Sequence, residues 1–138
     1  MKSLPDIHDQ KILLSIVVSV YNTSAQLRNT LESIHQQRGN IEVLCIDDCS
    51  TDDSLELIKE YIGIDGRFAL VKHDANQGIH STRIEGLKET TGKYVWLVDG
   101  DDTLPMGVCE QLLRVIKQTC VDIIHFNAKI IRENSVPD

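Results

Sequence analysis

Most of the side chains that could bind a ligand or a metal fall in three short segments, each directly after an apolar run. Tyr21 and Asn22 follow the first run, Asp47 and Asp48 follow the second, and residues 99–102 read Asp-Gly-Asp-Asp after a third. Because Asp and Asn favour turns, any one segment is also compatible with a solvated turn. Together they predict one crevice containing an aromatic ring, an amide and up to five carboxylates.

Asp99 and Asp101 form an Asp-x-Asp pair, whose carboxylates can both turn toward one site where the chain leaves a strand. Carboxylates this close repel one another and raise their own pKa values unless a cation lies between them. Mg²⁺ is usually held by one or two carboxylates, with water and ligand phosphates completing its coordination. The pair therefore predicts a Mg²⁺ or Mn²⁺ site that bridges to a diphosphate.

The charge balance restricts the class of ligand. The 138 residues include 14 Lys and Arg against 21 Asp and Glu, a net charge of −7. An acidic surface repels phosphate backbones, which argues against nucleic-acid binding. A phosphorylated ligand must then be held by a metal or by backbone amides, and the chain has no Gly-x-x-x-x-Gly-Lys-Ser/Thr loop.

The cysteines and the first apolar run bear on location. The four cysteines have no Cys-x-x-Cys spacing, which favours reduced thiols. The run at 12–20 is too short for a membrane span, and its leader mixes acids with lysines, unlike a signal peptide. We therefore expect a cytoplasmic protein, or, for a longer parent protein, one attached to the inner face of the membrane.

Apolar runs alternate with amphipathic segments along the chain. Continuous apolar runs predict strands at 12–20, 41–46, 68–72, 94–98 and 122–127. Leu and Ile at helical spacing predict a helix in each gap. This β-α-β-α-β-α-β-α-β order predicts one α/β domain with a mostly parallel sheet. We expect a leader at 1–11, the domain at 12–131 and a tail at 132–138.

The segment before the third predicted helix contains further candidate residues, among them Asn76. Gly78 permits a turn with positive φ. Arg83, in the first turns of the helix, could reach a phosphate or carboxylate in the crevice. It could equally be a surface arginine, or pair with Glu85 or Asp74.

Four ordered motifs, at 15–22, 42–54, 76–86 and 91–102, resemble the N-terminal, nucleotide-binding half of family 2 glycosyltransferases. The resemblance implies a GT-A-type, Rossmann-like α/β/α sandwich of three layers, truncated on its C-terminal side. It also implies an inverting, metal-dependent transfer of sugar from a nucleoside-diphosphate sugar, with UDP favoured. The acceptor would be a hydroxyl of a glycan or lipid-linked glycan, in polysaccharide or cell-surface glycan synthesis.

The resemblance also implies roles for the residues of the first two segments. Tyr21 and Asn22 would line the nucleoside pocket, with Tyr21 near the base. Asp47 and Asp48 would belong to the nucleotide-sugar site, where Asp48 would accept a hydrogen bond from uracil or an equivalent base.

The later motifs receive roles in the same way. Asp99 would face the ribose and the metal, and Asp101 would be the direct metal ligand. Asn76, Gly78 and Arg83 would lie along the sugar nucleotide.

The sequence departs from the family pattern at a few positions and leaves one function unassigned. Ser19 stands where Pro is commoner, and Thr82 and Ile84 flank Arg83 where Ala-Arg-Asn is usual. In the family the catalytic base lies in a C-terminal half, so we expect it beyond Asp138. We accordingly expect this chain alone not to transfer sugar.

Two other function classes remain. A non-catalytic nucleotide-binding or interaction module would share the same crevice. A phospho-accepting receiver domain is also α/β with clustered acids, but receivers carry an acidic pair after the first strand, where this chain has Tyr21 and Asn22. His73 and His125 are interpreted as strand-end and strand residues, with no Ser or Cys triad to join.

Overall fold

A computed structural model describes residues 11–130 and shows four strands alternating with four helices in that range. The strands are β1 Leu14–Val20, β2 Ile41–Asp47, β3 Phe68–Lys72 and β4 Tyr94–Asp99. The helices are α1 Ser24–His35, α2 Ser54–Ile64, α3 Ile79–Glu89 and α4 Val108–Gln118. In this range no helix is both long and apolar enough to cross a membrane. The leader before Lys11 and the predicted tail lie outside the described residues, so the predicted domain limits stay a prediction.

All strand pairs are parallel, and the sheet order is β3-β2-β1-β4. All seven residues of the central strand β1 are buried, as expected for an apolar run covered on both faces. In the register, Val20 lies opposite Asp47 and Ser19 lies opposite Asp99. The carboxyl ends of β1, β2 and β4 therefore meet at one edge of the sheet.

The helices cover the sheet on two sides, which confirms the predicted three-layer sandwich. Side chains of α1, α2 and α4 share one core with alternate residues of β1, such as Ile16 and Val18. The opposite face of the sheet carries a smaller cluster around Val17, Leu44 and Ile46. Helix α3 lies on this second face, and the space at Gly86 is so small that a Cβ there would be 2.4 Å from Val17 Cγ1.

The predicted strand at 122–127 is wrong, because these residues pair with no strand in the described structure. Side chains hold the segment near β4 instead. The ring of Phe126 meets that of Trp96 edge-on at 4.9 Å between centroids, and the Tyr94 hydroxyl donates to the Val121 carbonyl. Ile124 packs against the main core. Of its apolar side chains, Ile124 and Phe126 make packing contacts while Ile123 is exposed, so the apolar pattern does not by itself specify backbone pairing.

We expect Gly86→Ala to lower the free energy of unfolding by about 1–3 kcal/mol, because the added methyl group overpacks the contact with Val17. Gly63→Ala is the matched control, since Gly63 lies in α2 and a Cβ added there would have nothing within 4 Å. The control should be neutral or stabilising by up to about 1 kcal/mol through helix propensity. Urea denaturation of both variants measures the difference. Equal stability of the two would contradict the close approach of α3.

Candidate functional site

Backbone hydrogen bonds draw the three predicted segments together at the carboxyl edge of the sheet. The backbone N–H of Asp48 donates to the Val20 carbonyl at 2.8 Å, and that of Gly100 donates to the Ser19 carbonyl at 3.0 Å. The chain leaving β2 and the chain leaving β4 are therefore both fastened to the last residues of β1.

Asn22 uses its side chain to fix the loop after β2. Its Oδ1 accepts hydrogen bonds from the backbone N–H groups of Thr51 at 2.7 Å and Asp52 at 3.3 Å. Its own N–H donates to Ser50 Oγ at 3.0 Å, with a backbone φ of 50°. The neighbouring Tyr21 is 50% exposed. Of the two, Tyr21 presents a free surface to a ligand, whereas Asn22 positions the loop.

Asp52 caps the N-termini of two helices. Neither N-cap residue, Thr23 of α1 or Asp53 of α2, makes a side-chain cap of its own. Asp52 instead accepts from the backbone N–H of Ser24 at 3.0 Å and of Ser54 at 2.9 Å. Burial raises the pKa of Asp52, but hydrogen bonds from these two serines outweigh it and lower the pKa to about 2. This carboxylate therefore stays charged and stabilises both positive helix ends.

Asp48 anchors the segment that precedes α3. It is 4% exposed and accepts from the backbone N–H groups of Gln77 and Gly78, each at 2.8 Å, and from His73 Nδ1 at 2.7 Å. Asn76 Nδ2 reaches the Asp48 carbonyl at 3.4 Å. Burial raises the pKa of Asp48, but the hydrogen bonds from His73, Gln77 and Gly78 bring it below its usual value. Gly78, at φ 89°, makes the turn that these contacts require.

Three buried side-chain polar atoms in the described part of the chain lack a hydrogen-bond partner: Thr23 Oγ1, Asp47 Oδ1 and Arg83 Nε. Asp47 is fully buried at the end of β2, and its other oxygen accepts from the Ser50 N–H at 3.2 Å. Such atoms are rare in folded proteins because each costs free energy. All three belong to segments at the crevice.

Arg83 pairs with a carboxylate in the crevice. Its Nη2 lies 3.0 Å from Asp99 Oδ1, and both side chains are partly exposed. The sequence left open a carboxylate in the crevice, Glu85 or Asp74 as the partner of Arg83. In the structure the partner is the crevice residue Asp99. The pair joins α3 to the end of β4.

A third acid, Asp102, lies beside Asp99 and Asp101. The Asp-x-Asp pattern had not assigned it to the metal. One carboxylate oxygen of each lies within 4.8 Å of the others. Burial raises the pKa of Asp102, and the charges of Asp101 and Asp99 raise it further. Hard oxygen donors that repel one another fit a divalent cation, so the residues present suit Mg²⁺ or Mn²⁺.

Helix α1 holds the loop that carries these acids. Thr30 Oγ1 donates to the Gly100 carbonyl at 2.9 Å, and Ser33 Oγ accepts from the Leu104 N–H at 3.0 Å. Gln37, only 3% exposed, follows the helix and bonds to the Pro105 carbonyl of the same loop and to the Cys109 N–H in the first turn of α4. The acidic loop is thus fixed from behind by α1, while its carboxylates remain at the surface.

His73 is the residue of this site that sequence reasoning missed. It follows β3 as predicted, but its ring lies between the carboxylates of Asp48 and Glu85. The three residues come from the ends of two strands and from α3, separated by 25 and 12 positions. No local spacing in the sequence signals such a contact.

Comparison with known proteins agrees with this geometry. The family model described as Glycosyl transferase family 2 matches residues 15–138. The chain belongs to this family. EpsH of Bacillus subtilis (strain 168) is 37% identical over 102 residues, which are 73% of this chain and 29% of EpsH. The glycosyltransferase GlyA of Streptococcus pneumoniae serotype 4 is 37% identical over 116 residues, 83% of this chain and 16% of GlyA.

Among solved structures, S. aureus TarS 1–349 in complex with UDP-GlcNAc has a TM-score of 0.73 and 26% identity. The alignment covers 78% of this chain and 32% of that one. The predicted membership of family 2 and the GT-A-type fold are confirmed. This family 2 chain spans about a third or less of EpsH, GlyA and TarS 1–349.

Replacing Gln37 tests how the acidic loop is held. Gln37→Leu removes the donor to the Pro105 carbonyl, at 2.9 Å, and the acceptor for the buried Cys109 N–H, at 3.1 Å. The buried Cys109 N–H would be left unpaired, at a cost of about 1–3 kcal/mol, whereas the Pro105 carbonyl keeps the Val108 N–H at 3.3 Å.

The matched control is Gln36→Leu, because Gln36 is exposed and its side chain bonds only to Glu32 among the contacts described. We expect that variant to change stability by less than about 0.5 kcal/mol. Thermal denaturation followed by circular dichroism compares the two. A Gln37 variant as stable as the control would contradict the role of Gln37 in holding the acidic loop and the start of α4.

Proposed function

We propose that this chain binds a nucleoside-diphosphate sugar at the carboxyl edge of its sheet and forms the donor-binding part of a glycosyltransferase. The observation that carries the proposal is the meeting of the Asp48-anchored segment and the acidic cluster of Asp99, Asp101 and Asp102 at that edge. Family membership supports it, and so does the structure of TarS with UDP-GlcNAc, which favours a UDP-sugar.

The nucleoside occupies the part of the crevice nearest β1 and β2. The half-exposed ring of Tyr21 offers a flat apolar surface to the base. Asp48 accepts three hydrogen bonds within the chain, and two carboxylate oxygens offer about four acceptor sites. One acceptor position is therefore left for a base N–H. Asn76 and Gly78 line the path toward the sugar.

The diphosphate lies near β4. Asp99 and Asp101 hold Mg²⁺ or Mn²⁺, with Asp102 beside them. The bound cation supplies compensation for the negative charge on the leaving diphosphate. Arg83 adds a second positive group, since its partly exposed guanidinium lies beside Asp99 and has further N–H donors for a phosphate oxygen.

The transfer step needs groups that we place elsewhere in a longer protein. Asp47 is fully buried, Asp48 and Asp52 accept hydrogen bonds inside the fold, and the three acids of residues 99–102 face the diphosphate. We therefore place the general base beyond Asp138. The proposal also includes inversion at the transferred sugar and an acceptor that is a glycan or a lipid-linked glycan. It further includes a role in polysaccharide synthesis and a cytoplasmic location.

Calorimetric titration with UDP tests the metal. We expect affinity in Mg²⁺ or Mn²⁺ to exceed that in chelator by about tenfold or more, which corresponds to about 1.4 kcal/mol. Asp101→Asn should abolish the difference, because it removes a charged oxygen ligand. Asp122→Asn, an exposed acid near the start of β4, is the matched control and should bind as wild type does. Equal affinity with metal and with chelator would overturn the metal bridge.

A transfer assay tests the division of labour. The chain alone should show no useful transfer, because positioning of an acceptor contributes about 7–11 kcal/mol and a general base about 10²–10⁴-fold. Slow hydrolysis of the donor is compatible with this expectation. The comparison is with a longer protein containing this chain, under the same donor and acceptor. Similar rates would place the base among Asp47, Asp52 and Asp102.

A further inference from the structure

The ring of His73 lies between two carboxylates and is almost completely buried, with 4% of its surface exposed. Nδ1 is 2.7 Å from Asp48 Oδ1, and Nε2 contacts Glu85 Oε2 of α3. An ionised carboxylate only accepts hydrogen bonds, and an imidazole donates from both nitrogens only when protonated. The arrangement is therefore that of an imidazolium. The hydrogen bond to Asp48 raises the pKa of His73 most, burial opposes the rise, and Glu85 adds to it.

The charged groups that face this ring come from two elements. Asp48 follows β2 and Glu85 belongs to α3, while the sequence neighbours Lys72 and Asp74 are exposed. The His73 backbone N–H also donates to the Asp47 carbonyl at 2.9 Å. The imidazolium thus joins the ends of β2 and β3 to α3.

Asp48 transmits this contact to the proposed ligand site. The same carboxylate that accepts from His73 accepts from Gln77 and Gly78 through both of its oxygens. If His73 were neutral, its ring would have a single N–H to donate, while a negatively charged carboxylate would lie on each side of it. One of the two contacts would then be lost.

We propose that His73, as an imidazolium, is a positioning residue for nucleoside-diphosphate binding, which it serves by holding Asp48 and residues 76–78 in the arrangement that receives the ligand. The inference rests on the proposed function for its ligand. We call the Asp48–His73–Glu85 arrangement the bridge. The side chain of His73 contacts these two carboxylates and not the acidic cluster of Asp99, Asp101 and Asp102.

The bridge predicts a definite dependence on pH. Because the pKa of His73 is higher in the folded chain than the unfolded value of about 6.5, the contribution to stability is complete below that value. It is lost as the pH rises through the raised folded pKa. UDP affinity and the hydrogen-exchange protection of the Gln77 and Gly78 amides should fall over the same interval. Glu85→Gln removes one carboxylate, so both losses should move to lower pH.

Two substitutions of His73 separate its two contacts. His73→Asn keeps a donor near the position of Nδ1, toward Asp48, whereas His73→Gln places one near Nε2, toward Glu85. At pH 6.5 we expect His73→Gln to weaken UDP binding about tenfold or more, as for a lost charged hydrogen bond. His73→Asn should retain more of the affinity. Neither variant should show the pH-dependent step of wild type.

The experiment is UDP calorimetry in Mg²⁺ between pH 6.5 and 8.5, with amide exchange and the NMR titration of the His73 ring measured on the same proteins. Glu89→Gln, an exposed acid at the end of the same helix, is the matched control and should titrate as wild type does. Concerted loss of affinity and amide protection, absent in both His73 variants, supports the proposal. An unchanged pH profile and unchanged Gln77 and Gly78 protection in His73→Gln would overturn it.

Failure of the proposed function has a different signature. A wild-type chain that binds no UDP at any pH, with or without metal, contradicts nucleotide binding itself. Amide protection then still decides whether His73 holds residues 76–78. Loss of protection in His73→Gln supports the positioning role, and full protection overturns it.

Discussion

The parallel register of β1 with β2 and β4 is the constraint on which the site depends. It sets Val20 opposite Asp47 and Ser19 opposite Asp99, so two acid-bearing loops leave the sheet on either side of one strand. The fully buried β1 fixes this register, since a slip by one residue would turn its apolar side chains to the wrong faces. The crowding of carboxylates at one edge is thus imposed by the hydrophobic core, and the surrounding polar contacts compensate for it.

The acids of this edge divide into two groups according to what compensates their charge. Asp48 and Asp52 are stabilised by backbone N–H groups and have lowered pKa values, so they serve as fixed internal anions. Asp101 and Asp102 are exposed residues, and the partial burial of the Asp102 carboxyl together with the charges of Asp101 and Asp99 raises its pKa. Asp99 lies between the groups, because Arg83 compensates its charge in part. The first group builds the loops, and the second leaves a negative site at the surface.

The sequence predicted what depends on local pattern. The runs of the inner strands β1 and β2 are buried as their apolar pattern predicts, whereas the edge strands β3 and β4 are only partly buried. The predicted strand at 122–127 is wrong because Phe126 and Ile124 contact Trp96 and the core without any backbone pairing of the segment. The candidate residues were located at the correct strand ends. Asn22 holds the loop after β2 through its side-chain amide, and His73 lies between Asp48 and Glu85. Both roles depend on contacts between segments that are distant in the sequence, and no residue spacing predicts such contacts.

Helix α3 makes contacts with two separate parts of the crevice. Its small residue Gly86 lets it lie against Val17, in the strand between β2 and β4. From that position Glu85 reaches His73 at the side of β2 and β3, and Arg83 reaches Asp99 at the end of β4. A displacement of α3 would disturb both ion pairs together. The segment anchored by Asp48 and the acidic cluster are therefore both in contact with one helix, and the close approach at Gly86 is what brings that helix within reach of both.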